Sequence, residues 1–199
     1  MKKPLYFSLL IVAMIFIGAS KKSKLSDKAF SIIPEETIVG WTAYKTTSKI
    51  PVSGIFKEVI IDSDHSGITV YKAIDRLKFS LPISSIFSQS SLRDKKIKNS
   101  FFGSMLNTTK ISGEISLSKN NLGFVKITMN GISKELPITF KIDDELVVID
   151  AVMDLNNWES QAALEALNEA CEELHTGLDG ETLTWSEVKI NVTSKVRFD

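Results

Sequence analysis

Residues 38–56 read Ile-Val-Gly-Trp-Thr-Ala-Tyr-Lys-Thr-Thr-Ser-Lys-Ile-Pro-Val-Ser-Gly-Ile-Phe. This is a strand, a short polar connection and the start of a second strand. Side chains alternate along a strand, so Val39, Trp41 and Ala43 share one face of residues 38–45, and Ile38, Gly40, Thr42 and Tyr44 the other. Pro51 suits the first residues of a strand, and Gly54 inside one marks a bend or a close neighbour.

Working outward, the second strand spans about 52–62, with Ile55, Val59 and Ile61 opposed to Phe56, Glu58, Ile60 and Asp62. Asp62 to Gly67 has the composition of a turn. A third strand is expected from Ile68 to Leu81. Residues 82–105 are not strand-like, and Leu92 to Phe102 fits a short capping helix. Strands at about 107–118, 122–130, 135–142 and 145–155 follow, joined at Asn120-Asn121, Asn130-Gly131 and Asp143-Asp144, where Asn, Asp and Gly tolerate positive φ. A helix then runs from Asn156, with Glu159 three residues on as in a capping box. It ends at Gly177, and a last strand covers 182–197. Short, evenly spaced turns between alternating strands predict a closed antiparallel barrel or a sandwich.

At 199 residues, with 43% hydrophobic and 24% charged residues, the chain has the makings of one globular domain. The basic and acidic side chains balance at 24 each, so nothing in the composition suggests nucleic acid, which requires a basic face. Lys2 and Lys3 precede an apolar run from Leu5 to Gly18, the form of an export signal and too short for a membrane span. Phe16-Ile17-Gly18-Ala19-Ser20 has the shape of a lipoprotein box with Ala19 where the lipidated cysteine would stand. The expected organisation is a signal peptide at 1–19, a linker at 20–35 and a barrel domain at 36–199. The chain is expected in the periplasm or cell envelope, or secreted.

No catalytic group stands out. Cys171 is the single cysteine, which excludes an intrachain disulfide, and its apolar helical setting suits a small buried hydrophobe. His65 and His175 are the two histidines. His65 follows Asp62 and Asp64, a weak cation pattern that a solvated turn explains as well. No serine sits in a nucleophile elbow, and no glycine-rich phosphate loop occurs. The expectations are no enzyme, no cofactor and no metal. Eleven Phe, three Trp and three Tyr remain to be accounted for. They either fill a small barrel or line a lumen.

Three segments carry a resemblance. Gly-Trp-Thr-Ala-Tyr-Lys-Thr-Thr at 40–47 with Lys-Ile-Pro-Val-Ser-Gly-Ile-Phe at 49–56, Ser84-Ser85-Ile86 with Arg93 to Ile97 and Phe101-Phe102, and Gly131 to Leu136 together resemble YceI-like domains, in the form common in Bacteroidetes. The resemblance implies an all-β fold: an extended lipocalin-like barrel of about eight antiparallel strands with one or two short helices. It implies a lumen that holds a long isoprenoid or other amphipathic lipid, with transient membrane-surface contact. The apolar ligand-contact candidates are Trp41, Phe56, Phe79, Ile86, Phe101, Phe102 and Phe124. Tyr44, Lys45 and Arg93 are candidates for the head group. The helix after residue 156 would plug or narrow the barrel end. The competing readings are a filled, ligand-free interaction or stress-response module, a small hydrolase, and a metal carrier at His65.

Overall fold

The computed structural model describes residues 29–62 and 64–198. The expected export signal lies outside them. The strands are β1 (Phe30–Ile32), β2 (Ile38–Lys45), β3 (Ile50–Phe56), β4 (Ile60–Ile61), β5 (Lys78–Pro82), β6 (Ile86–Phe87), β7 (Lys110–Leu117), β8 (Leu122–Met129), β9 (Ile132–Asp143), β10 (Leu146–Asp154) and β11 (Thr184–Phe198). The helices are α1 (Val70–Ile74), α2 (Ser91–Lys96), α3 (Gln161–Ala170) and α4 (Glu172–His175). A π-helical turn, Ile97–Phe101, extends α2.

Every strand pairing is antiparallel. From β5 the sheet runs through β7, β8, β9, β10, β11 and β2 to β3. The circle is completed by two interrupted strands. β3 and β4 are successive parts of one strand, β5 and β6 of another. They pair with each other at Phe56–Ile86 and Ile55–Phe87, then at Ile60–Ser80 and Ile61–Phe79. Between these pairs the amide of Lys57 donates to the carbonyl of Ser85 at 3.0 Å. With each interrupted strand counted once, eight strands enclose one interior. The structure is therefore the lipocalin-like antiparallel barrel that the sequence implies. β1, within the stretch read as a linker, pairs with the far end of β11 at Ile32–Val196.

The interior follows from alternation. β8 buries Gly123, Val125, Ile127 and Met129, and β9 buries Leu136, Ile138 and Phe140. β10 buries Val147, Ile149 and Met153. The turns match the expected residues: Asn130 and Gly131 take φ of 51° and 71°, and Asp144 takes 53°.

Three expectations are corrected. Residues 68–81 are not one strand. Thr69 caps α1, its hydroxyl accepting from the amide of Lys72 at 3.2 Å, and Ala73 and Ile74 are buried beneath the barrel. Asn156 does not start a long helix. It belongs to a 3-10 turn capped by Asp154, and Glu159 at φ 50° breaks the chain before Ser160 opens α3. In the second strand, Phe56 was grouped opposite Val59 and Ile61. The interruption at 57–59 resets the alternation, so all three face inward.

Gly54 answers to a close neighbour. A Cβ there would lie 2.3 Å and 2.7 Å from two atoms of the Trp41 indole and 2.8 Å from the carbonyl oxygen of Phe87. The neighbouring strand cannot yield without disturbing the barrel seam. Gly54→Ala is expected to cost about 1–3 kcal/mol of overpacking. Urea denaturation of the two proteins checks it, and equal midpoints would mean that the indole moves aside freely.

Candidate functional site

Three apolar chambers lie in file inside the barrel. The base chamber, about 130 Å³, is walled by residues of every barrel strand, among them Val39, Phe79, Ile115, Val125, Ile149 and Val192. Ile74, the last residue of the short helix α1, Leu77 just beyond it and Ile32 of β1 close it from below. Its polar side chains are Thr37 and Ser194, whose hydroxyls bond each other at 2.7 Å. The middle chamber, about 120 Å³, lies under the helices. Phe101 and Phe102 of the α2 extension and Leu164 and Leu167 of α3 roof it over Met129 and Met153. Phe56, Ile111, Met153 and Ile190 line both, so the two are contiguous.

The third chamber, about 170 Å³, is the mouth. It shares Trp41, Ala43, Ile97, Leu167 and Thr184 with the middle chamber. It opens between Leu92 of α2 and Leu174 of α4, which are 64% and 57% exposed. Here the polar groups gather: Tyr44, Lys45, Ser90, Arg93, Lys96 and His175. β2 supplies Tyr44 and Lys45, α2 and its cap Ser90, Arg93 and Lys96, and α4 His175; the π-helical turn after α2 packs on α3 and holds these elements over one rim. The Lys96 ammonium donates to the carbonyl of Ala170 at 2.5 Å, and the Lys45 ammonium to that of Leu174 at 2.7 Å. A cation at a helix C-terminus is favoured by the exposed carbonyls there. Arg93 donates through Nε and Nη2 to the hydroxyl and carbonyl of Ser88, and Asp94 accepts from the amide and hydroxyl of Ser88.

The candidates separate cleanly. Trp41, Phe56, Ile86, Phe101 and Phe102 meet in the middle chamber, and Phe79 lines the base chamber with Phe56. Tyr44, Lys45 and Arg93 meet at the mouth. Phe124 does not join them. It is 42% exposed on the outer face of β8, because Val125 and Ile127 take the inner positions. The charged Lys126, two residues on, shares its outward face and was the readable sign. Sequence reasoning missed Lys96, three residues after Arg93 on α2, and His175 and the roof leucines, which come to the mouth and lumen from distant parts of the chain. It also missed the two methionines. A further depression, about 650 Å³, is a trough opening on the barrel's outer side, where Asn191 donates to Asp150 at 2.7 Å.

Two mouth groups have shifted acidities. Burial pushes the Cys171 thiol up, against the pull of Lys96 and Lys45, which fits an inert side chain. Burial, then Lys45 and Lys96, push His175 down to about 4. The Thr184 hydroxyl donates to Asn168 Oδ1, so it accepts from His175 Nδ1 at 2.7 Å, and the imidazole is the neutral Nδ1–H form. His65 lies elsewhere, in the turn before α1, its amide bonded to the carbonyl of Asp62. Among the described residues no three His, Cys, Asp or Glu side chains group as metal ligands.

The His175 shift has a pH signature. As pH falls from the usual histidine value of 6.5 to about 4, the unfolded chain takes up a proton that the folded chain refuses. Stability contributed by the neutral imidazole is therefore full above that window and lost within it. In urea denaturation, the wild type is expected to lose more stability across it than His175→Gln. Parallel losses would remove His175 from this role.

No protein-family model matches the chain, and no curated relative does. Solved structures do. A polyisoprenoid binding domain from Saccharophagus degradans, implicated in plant cell wall breakdown, superposes with a TM-score of 0.58 at 10% identity, over 86% of this chain and 99% of that one. BcnA from Burkholderia cenocepacia gives 0.55 at 13% identity, over 84% and 99%. At these identities the likeness is one of fold: the chain is built on the same barrel as that polyisoprenoid binding domain and BcnA, in keeping with the architecture that the resemblance to YceI-like domains implies.

Proposed function

We propose that the protein is an exported binding protein that holds the chain of a long isoprenoid or other amphipathic lipid in the lumen of its barrel. The observation that carries this reading is the file of three contiguous apolar chambers, closed at the base and polar at the mouth. A chain entering there would exchange water for hydrocarbon along its length, a gain of about 0.8 kcal/mol per methylene, offset by the cost of holding it in one conformation. The narrow bore suits a single chain rather than a bulky ring. Trp41, Phe56, Phe79, Ile86, Phe101 and Phe102 would contact the chain, and Tyr44, Lys45 and Arg93 its head. Nothing in this mechanism calls on a cofactor or on nucleic acid.

Export rests on residues 1–19 and places the protein in the periplasm or cell envelope, or outside the cell. Exposed Ile50, Leu92 and Leu174 near the mouth support a transient contact with a membrane surface, from which a chain would enter. The name of the polyisoprenoid binding domain that shares the fold supports the ligand class.

A second reading has its own support. The middle and base chambers, at about 120 and 130 Å³, are each smaller than the roughly 300 Å³ at which ligand pockets begin. A filled barrel acting through its surface as a ligand-free interaction or stress-response module would look like this. Met129 and Met153 favour the binding reading, since their flexible side chains can withdraw to let a chain pass.

Native mass spectrometry of the mature protein from its own envelope separates the two. A stoichiometric adduct with a prenyl or acyl chain, recovered by organic extraction, supports the binding reading. An empty protein that also fails to take up prenyl phosphates, quinones or fatty acids refutes it. Ala43→Phe, which places a ring between mouth and lumen, is expected to abolish uptake while circular dichroism still reports a folded barrel. Phe124→Ala, on the outer face, is expected to leave uptake unchanged.

A further inference from the structure

We infer that the ligand of this barrel carries an anionic head, a carboxylate or a phosphate monoester, held at the mouth between Lys45, Lys96 and Arg93. The inference rests on the lumen being the site of the chain.

Charge is the first observation. Three cations line the mouth chamber, and no carboxylate lines it. Of the acidic side chains on the roofing helices, Glu165, Glu169, Glu172 and Glu173 are exposed to solvent, and the buried Asp94 is turned to the amide and hydroxyl of Ser88. Lys49, near the Tyr44 ring, has a carboxylate of its own, the Glu187 side chain at 3.0 Å. Lys45 and Lys96 instead spend a donor each on the helix carbonyls of Leu174 and Ala170. An ammonium has three donors, so two remain on each. Arg93 likewise keeps part of its fork beyond the bonds to Ser88. Arg93 shares the Ser88 hydroxyl with the Asp94 carboxylate, so part of its charge is answered within the protein, whereas the two ammonium groups, held by neutral carbonyls, keep their field for an incoming anion.

The second observation is independent of charge. Trp41 Nε1 is buried and has no hydrogen-bond partner. Trp41 stands where the mouth and middle chambers join. Its ring is fixed by contact with Gly54. A buried N–H without an acceptor keeps the full desolvation penalty of the group. An oxygen at the neck of a bound lipid, next to the head, would satisfy it. The cations and the indole thus mark successive depths of one ligand: the anion outermost, then an acceptor oxygen, then the chain.

The base chamber is lined by no cation. The Thr37 and Ser194 hydroxyls of the base chamber bond each other. The head therefore stays at the mouth and the chain points inward.

The test matches tails and varies heads. Palmitate and geranylgeranyl monophosphate are compared with palmityl alcohol and geranylgeraniol by native mass spectrometry and calorimetry on the full mature chain. The anionic members are expected to bind at least about tenfold more tightly than their alcohols, the scale of one charge-assisted hydrogen bond. Lys45→Gln and Lys96→Gln, which keep a donor for the helix carbonyls, are expected to erase most of that margin without weakening the alcohols. Palmitate against the monophosphate shows which anion the mouth prefers. Equal binding of acids and alcohols, or variants that weaken both alike, overturns the anionic head and leaves the chain site standing. If no tail of either kind binds, the chain site falls and the head with it. Trp41→Phe, which keeps an aromatic ring at the neck but removes the donor, is expected to weaken both head classes. No effect would remove the indole from the ligand's path.

Discussion

The structure depends on closing its seam. An antiparallel sheet with two free edges would leave backbone N–H and C=O groups unpaired and open the apolar interior to water. Here the last closure falls to two strands that are both interrupted, β3–β4 and β5–β6. A few pairs hold it, Phe56–Ile86 and Ile55–Phe87 on one side of the interruption and Ile60–Ser80 and Ile61–Phe79 on the other. Neither interruption leaves a hole. Ile83–Ser85 turns over the gap, and the Lys57 amide finds the Ser85 carbonyl. The slip of register also brings Phe56, Val59 and Ile61 inside together. Closure and lining are thus settled by the same irregularity.

The barrel treats its two ends differently. At the base, several polar groups are used by the fold. Asp75 accepts from the amide of Leu117 at 3.0 Å, Arg76 donates its amide to the carbonyl of Ile115, and Thr37 and Ser194 satisfy each other. At the mouth, helices lie across the opening. The carbonyls at the C-terminal ends of α3 and α4 draw lysines from β2 and α2. The polar end of the lumen is therefore a consequence of how the roof is attached.

Much of this was legible. The strands from β7 to β10 alternate regularly and are joined by Asn, Asp and Gly residues with positive φ, so the sequence dictates both turns and faces. The first strands, with Trp41 and Ala43 inward and Gly54 beside a neighbour, were also readable. The seam was not, because a register slip at 57–59 is a property of the pairing rather than of either strand. Val70, Tyr71 and Ile74 have strand-forming side chains yet form a helix, because Thr69 caps it and the barrel base buries Ala73 and Ile74. The mouth was half legible. Lys45 and Arg93 lie in segments with a readable resemblance. Lys96, three residues after Arg93 on α2, follows it by helical periodicity, whereas His175 joins them only because α4 comes to the same rim from a distant part of the chain, which periodicity does not encode.

Trp41 links the fold to its use. Gly54 leaves room for an indole at the neck of the lumen, and a phenyl ring would fill most of that room without a polar atom. The indole brings a donor that the protein itself does not satisfy. The other buried tryptophan, Trp158, shows the usual solution: its Nε1 donates to the carbonyl of Ile127 at 3.2 Å while the ring is almost fully enclosed. The two rings sit in the same barrel, one with its hydrogen bond made and one with it open. If filling space were the whole task at position 41, the open donor would be a cost with no return. Its place between the charged mouth and the apolar lumen is where the proposed amphipathic ligand would pass from polar to apolar, and where a single donor would hold its depth.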